Sequence, residues 1–285
     1  MNRHYWLGKI FKGVMTYFIV GLFALFAALP FYQMVIIAFK SNADFNNPRE
    51  NNPFIFNDPP TTDHIVYLFE QTEYLTFILN SVIIGVSVVL ITLLFATPAA
   101  YSLARLTGRL GERLGILIFL VYLIPPTLLF IPMSQVVSFV GLQNSKWALV
   151  MLYPTFTIPF CTWLMFGFFR SIPRDIEEQA MVDGYSRFGA MWRVVLPLAV
   201  PGVLTVVVFS FMLTLHEYIY ALAFTTSSSE KPISVGVTTE LVRGDVFFWQ
   251  SLMASAIIVA LPIAIVYNLF LNRFVAGLTM GAVKG

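Results

Sequence analysis

The chain has 285 residues, 58% hydrophobic, 16% aromatic and only 11% charged. Soluble domains carry about a quarter charged residues, so this composition excludes a water-soluble globular enzyme, and the apolar content excludes disorder. The single cysteine, Cys161, excludes a disulfide framework and a multi-cysteine metal site, and a net charge of +2 gives no argument for nucleic acid as a partner. A polytopic membrane protein in contact with lipid remains.

Six stretches supply the roughly 20 mostly apolar residues that a membrane helix needs. They run from about Val14 to Phe39, Thr76 to Ala104, Leu114 to Val137, Trp147 to Phe169, Leu198 to Phe224 and Phe248 to Leu271. The runs are continuous rather than alternating, which argues for helices and against a β-barrel. The first is longer than a signal-peptide core and reads as a retained helix. The expected fold is all-α: one membrane domain over residues 1–285 with six transmembrane helices.

Lysine and arginine set the orientation. One side holds Arg3, Lys9, Lys12, Arg105, Arg109, Arg113, Arg170, Arg174, Arg187, Arg193, Arg273 and Lys284; the other holds Lys40, Arg49, Lys146, Lys231 and Arg243. The richer side is expected in the cytoplasm, which puts both termini there. Two segments are then expected outside: Ser41 to Glu73 reads as an ordered or semi-ordered polar loop with turn signals, and Thr225 to Phe247 as a second polar loop. Proline recurs within the spans at Pro30, Pro98, Pro125, Pro126, Pro154, Pro159 and Pro262. Each removes a helix hydrogen bond and favours a kink.

The cytoplasmic loop from Arg170 to Pro197 carries more pattern than a connector needs. Asp175 reads as an N-cap with Glu178 three residues on, as in a capping box, and Glu177 and Glu178 suit the positive end of a helix dipole. Gly184 fits a helix stop at positive φ, and Ser186 reads as the cap of a second helix through Val195. Ile176, Ala180 and Met181 share one face, and Phe188, Met191, Trp192 and Val195 are expected to cluster as an apolar ridge. Such a ridge suits either the lipid headgroups or a soluble partner.

The same residues resemble the EAA motif of bacterial ABC import permeases. In that pattern Glu-Ala-Ala is followed by three residues, Gly, nine residues, Ile, one residue and Leu-Pro. Here Glu178-Gln179-Ala180 precedes Asp183-Gly184 at that spacing, and Val194, Leu196 and Pro197 complete it. Gln179, Tyr185 and Val194 depart from the usual residues without changing the spacing. The tail from Arg273 to Gly285, the stretch Glu217 to Leu222 and the pair Asn80-Ser81 are similar to carbohydrate permeases of the maltose-permease-G type.

The resemblance implies a permease subunit of an ATP-driven, binding-protein-dependent importer in the bacterial inner membrane, carrying a sugar, glycoside or polyol by alternating access. Residues 170–197 would dock on an ATPase subunit through Glu178, Gln179, Ala180, Asp183, Gly184, Leu196 and Pro197. The expected partners are a second permease, two ATP-binding subunits and a periplasmic substrate-binding protein. No Gly-rich phosphate loop is present, so ATP and Mg belong to the partner ATPase and this chain holds no cofactor of its own. The chain is then not an enzyme. Polar and aromatic candidates for the substrate route are Asn80, Tyr122, Gln135, His216, Glu217 and Tyr218, since sugars are held by a few polar groups and stacked rings. Three histidines give no expectation of a metal site. A non-sugar substrate such as a polyamine or phosphate ester, or an ion-coupled transporter working through Glu217, stays open at this point.

Overall fold

A computed structural model describes residues 3–47 and 49–282, with side chains described over 11–47, 49–125 and 127–269. The helices are α1 (Arg3–Phe39), α2 (Asn42–Asn46), α3 (Asp63–Gln71), α4 (Tyr74–Arg105), α5 (Gly108–Tyr122), α6 (Phe130–Val140), α7 (Lys146–Leu152) and α8 (Pro154–Ser171). They continue with α9 (Arg174–Val182), α10 (Arg187–Ala190), α11 (Leu196–Leu198), α12 (Val200–His216), α13 (Ile219–Phe224), α14 (Ile233–Leu241) and α15 (Trp249–Ala282). The described residues divide into two compact units, one up to residue 72 with 240–261, the other 73–239 with 262 onward.

Among the described residues, four segments are long and apolar enough to cross a membrane: Phe11–Phe39, Tyr74–Arg105, Lys146–Ser171 and Trp249–Leu269. Two further stretches qualify only as bent pairs. Gly108–Tyr122 with Thr127–Val140 turns by 77°, and Arg187–Leu198 with Val200–His216 turns by 75°. The first bend sits at Pro125-Pro126, where two consecutive residues lack a helix N–H. By contrast Pro30, Pro98, Pro159 and Pro262 all lie inside continuous helices. The expected fifth span is shorter than its apolar run: α12 stops at His216, Glu217 is extended, and α13 starts afresh at Ile219.

In the larger unit α4 packs along α5, α8 and α12. One buried cluster joins Ala96, Ala100 and Ala104 of α4 to Cys161, Met165 and Phe169 of α8 and to Met191, Val195 and Val206. The alanines recur every four residues, so they form one small-residue stripe that lets the helices approach closely. At Gly202 of α12 a Cβ would run into the Phe168 ring, so close contact there requires glycine. Lipid tails are as apolar as leucine, so this packing and hydrogen bonds such as Thr92 to Thr157 at 2.7 Å hold the helices together. The opposite face of α4 keeps Leu90 and Leu94 outward, 61% and 68% exposed. That surface is costly in water and suited to lipid.

Of the two segments expected outside, Ser41 to Glu73 is ordered as expected, and Thr225 to Phe247 is more ordered than a loop. Ser41 to Glu73 contains α2 and α3 around a buried ion pair, Lys40 Nζ to Asp44 Oδ1 at 2.6 Å. Asp44 also accepts from Asn57 N at 2.8 Å and Asn57 Nδ2 at 2.8 Å. Thr225 to Phe247, expected as a loop, carries α14 and a two-stranded antiparallel hairpin pairing Val242 with Phe247 and Arg243 with Val246. The run from Ile233 to Leu241 has no proline or glycine pair to stop a helix, and the single Gly236 lies against the Phe77 ring.

Candidate functional site

The loop after α8 is two short helices around one turn. Its first helix, α9, starts at Arg174 behind Pro173, which gives no side-chain cap. Asp175 therefore sits within the first turn, not at the N-cap, and the expected capping box with Glu178 does not form. Proline supplies the start instead, by fixing φ before the first turn. The far end matches the expectation. Gly184 has φ +93°, Gly184 N–H donates to Met181 O at 3.1 Å, and Tyr185 N–H donates to Ala180 O at 3.1 Å. That crossed pair is a Schellman turn, which satisfies carbonyls at the end of the helix. Ser186 Oγ then accepts from Gly189 N at 3.1 Å and caps α10, and a π-helical turn, Met191–Val195, follows.

This geometry separates residues that the motif groups together. Ala180 is buried, and Ile176 and Met181 are half-buried beside it. Glu178, Gln179, Asp183 and Gly184 are exposed. Leu196 packs against the core cluster, and Pro197 is exposed at the start of α11. The expected four-residue ridge splits. Met191 and Val195 point into the core, because the wider π turn brings them onto the face of Ala190 and Ala199. Phe188 and Trp192 remain outside, 70% and 51% exposed, with ring centroids 6.0 Å apart. The outward surface is thus Val182, Tyr185, Phe188 and Trp192, flanked by Glu178.

A second feature escapes the motif. Glu177, next to the exposed Glu178, is buried. Its Oε1 accepts a short hydrogen bond from the Tyr101 hydroxyl, and its Oε2 lies 3.2 Å from Arg105 Nε as an ion pair. Arg105 also donates to Ile172 O at 2.7 Å, and Arg174 donates to Ala104 O at 3.3 Å. The C-terminal end of α4 therefore grips α9. The trace in the sequence is a cation closing the second apolar span and an acidic doublet in the loop. No spacing rule joins positions 72 residues apart.

The substrate-route candidates do not converge. Asn80 is buried and donates to Ser229 O at 2.8 Å and Lys231 O at 3.0 Å, while its Oδ1 accepts from Lys146 Nζ at 2.9 Å. Asn144 completes this clamp: its Oδ1 accepts from the backbone of Thr226 and Ser227, each at 2.8 Å. Glu217 accepts from Tyr153 Oη at 2.8 Å, Tyr220 N at 2.9 Å and Ala221 N at 3.0 Å. It is the anion that caps α13, where backbone N–H groups are otherwise unpaired. His216 Nδ1 lies 2.9 Å from Met212 O of its own helix. Tyr122 packs on Phe160 at 4.9 Å, and Gln135 and Tyr218 are exposed. A cavity of ≈ 10 Å³ is lined by Ser81, Ile84, Tyr153, Thr214, Leu215, Pro232 and Ser234. It has room for about one water, and none of the six candidates lines it. Of the tail, Val283, Lys284 and Gly285 lie outside the described residues.

Residues 94–279 match the family described as the binding-protein-dependent transport system inner membrane component. The sulfoquinovosyl glycerol transport system permease protein of Agrobacterium fabrum is 34% identical over 81% of this chain and 80% of its own length. The trehalose/maltose transport system permease protein of Thermococcus litoralis is 27% identical over 97% of this chain and 99% of its own. In fold, the chain resembles a chain of a bacterial ABC transporter that imports the acidic polysaccharide alginate. That similarity has a TM-score of 0.76 at 19% identity and covers 96% and 99% of the two chains.

Proposed function

The chain belongs to the binding-protein-dependent transport system inner membrane components, and from that premise we propose that it imports a sugar, glycoside or polyol as one permease of an ATP-driven complex. It is a transport component, not an enzyme. The partners in this reading are a second permease, two ATP-binding subunits that hold ATP and Mg, and a periplasmic substrate-binding protein. The sugar class is supported by the substrates named for the relatives. Six spans with both termini in the cytoplasm follow from counting each bent pair as one crossing, and from the lysine and arginine asymmetry.

The observation that carries the reading is the loop around Gly184. Its helix ends in a Schellman turn at the motif glycine, and Glu178 beside the Tyr185, Phe188 and Trp192 rings faces outward. An exposed apolar surface rimmed by charge suits a protein partner. Glu178 makes charge-assisted hydrogen bonds to basic groups of the ATPase. ATP-driven closure of the two ATPase subunits moves this loop, and the helices it is anchored to rock between inward- and outward-facing states. The ≈ 10 Å³ cavity is too small for a sugar ring. In this reading the route runs between this chain and the second permease. The exposed Gln135, His216 and Tyr218 are the candidates left to line it, since Asn80 and Glu217 are committed to the loop clamp and the helix cap and Tyr122 packs on Phe160.

Two measurements test this. Glu178→Lys and Gly184→Val are expected to leave the protein inserted. Both should cut ATPase co-purification and substrate-stimulated ATP turnover at least about tenfold, because valine is strained at φ +93°. Full association and full stimulation in both variants would remove the loop as the coupling site. Separately, reporter fusions at Asn57 and Thr226 should report the periplasm, and fusions at Gly111 and Gly189 the cytoplasm. A cytoplasmic signal at Thr226 would sink the six-span arrangement.

A further inference from the structure

The segment after α1 turns back along the helix it has just left. Tyr32 Oη donates to Phe54 O at 2.6 Å, and Gln33 Nε2 donates to Pro53 O at 2.9 Å. Tyr32 lies seven residues before the end of α1 at Phe39, which is about 10 Å along a helix. Long helical side chains lean toward the helix N-terminus, so the two carbonyls reach at least that depth. The apolar stretch Phe11–Phe39 has 29 residues, or about 44 Å, against about 30 Å of hydrocarbon. With the excess shared between the ends, about 7 Å of helix emerges on each side. The tip of residues 53–56 then sits at the boundary of headgroups and acyl chains.

Three further observations point the same way. Phe54, Ile55 and Phe56 are 50%, 50% and 37% exposed. Part of the tip's backbone is paired within the chain: besides the two carbonyls, Phe54 N–H donates to Asn52 Oδ1 at 2.9 Å, Asn57 Nδ2 donates to Ile55 O at 3.5 Å, Asn57 N–H donates to Asp44 Oδ2, and Pro53 has no N–H to pair. The N–H groups of Ile55 and Phe56 are left to headgroups and interfacial water, so the tip fits the boundary of the bilayer and not its hydrocarbon centre. Finally, the Lys40–Asp44 pair and Asn57 hold the loop's two stems together, so the tip is presented as a rigid wedge.

We propose that Phe54, Ile55 and Phe56 insert into the outer leaflet as a lipid anchor beside α1. Lipid is favoured over a protein partner because the tip is tied to a helix whose apolar side chains are exposed along most of its length, Phe23 and Phe26 being 71% and 77% exposed. The proposal rests on α1 being a membrane span, as in the function proposed above.

The test uses the full-length protein in phosphatidylcholine vesicles, with an environment-sensitive fluorophore on Ile55→Cys, Arg49→Cys or Phe23→Cys. Cys161 is fully buried, and unlabelled wild type controls for it. A lipid bearing a nitroxide near the top of its acyl chain should quench at least about half of the Ile55 signal, and aqueous iodide less than about a tenth. Iodide should quench the Arg49 label strongly. Iodide quenching at Ile55 equal to that at Arg49 would place the tip in water, and protection from both quenchers would place it against protein; either result overturns the anchor. Phe23 separates the two possible failures. If a deep nitroxide leaves it unquenched, the span and the anchor both fall; if it is quenched while Ile55 is not, only the anchor falls. Phe56→Cys repeats the measurement should Ile55→Cys not fold.

Discussion

Replacing Arg105 with alanine is expected to abolish coupled transport while leaving the membrane helices inserted. The Arg105 and Glu177 side chains are 5% and 7% exposed, and removing the arginine leaves a buried carboxylate with only the Tyr101 hydroxyl. Breaking a buried pair from one side costs about 3–5 kcal/mol, roughly two to nearly four orders of magnitude in the local equilibrium. A nine-residue helix such as α9 has too few turns to be stable alone, so this cost falls on the order of the loop. Transport should drop at least about tenfold, and trypsin should cut faster at Arg174 and Arg187. Arg105→Lys keeps the charge but not the fork that also reaches Ile172 O, so it should be intermediate. Glu178→Ala should change thermal stability by no more than about 0.5 kcal/mol, because Glu178 is exposed. Wild-type transport together with a wild-type cleavage pattern in Arg105→Ala would show that the grip on α9 has no mechanical role.

The second large effect belongs to Asp44. Burial by itself would raise its carboxyl pKa, but the Lys40 ammonium and the N–H groups of Asn57 and Asp58 outweigh burial and hold it well below the usual carboxylate range. Asp44→Ala leaves the Lys40 ammonium, 3% exposed, with Asn52 O as its remaining acceptor. The expected cost is again about 3–5 kcal/mol, seen as rapid proteolysis between residues 41 and 62. The sign of the pH dependence follows from the lowered value. The contribution is fully present above the unfolded carboxyl pKa of about 4, and it is lost as pH falls from there through the folded value. Proteolysis of wild type should therefore be flat from about pH 5 to 8 and rise in stronger acid, while Asp44→Ala should be fast throughout. A variant as resistant as wild type at neutral pH would show that the loop is held by its backbone contacts alone.

These two ion pairs mark how far the sequence could be read. The apolar runs all fold as helix, because lipid leaves an apolar stretch of about 20 residues few other stable solutions, but the third and fifth runs are broken, at Pro125-Pro126 and at Glu217. Gly184 and Ser186 could be placed from local chemistry, since a left-handed stop and an N-cap each depend on one residue and its immediate neighbours. The motif spacing from Glu178 to Pro197 was legible for the same reason. Local rules failed where two were in competition. Pro173 started α9 before Asp175 could cap it, and a π turn rotated Met191 and Val195 away from Phe188 and Trp192.

The sequence by itself thus determined the lipid solvent, the helical character of the apolar runs, the turn at Gly184 and the family. Those depend on composition and short-range spacing, which are written along the chain. Tertiary structure alone decided which of two adjacent glutamates is buried. Glu177 is committed to Arg105 and Tyr101, and Glu178 is left facing out, through contacts more than seventy residues apart. It also decided that Asn80 and Glu217 are spent on a loop clamp and a helix cap. A polar side chain in an apolar run must find a partner, and only the folded chain shows that the partner is the protein's own backbone.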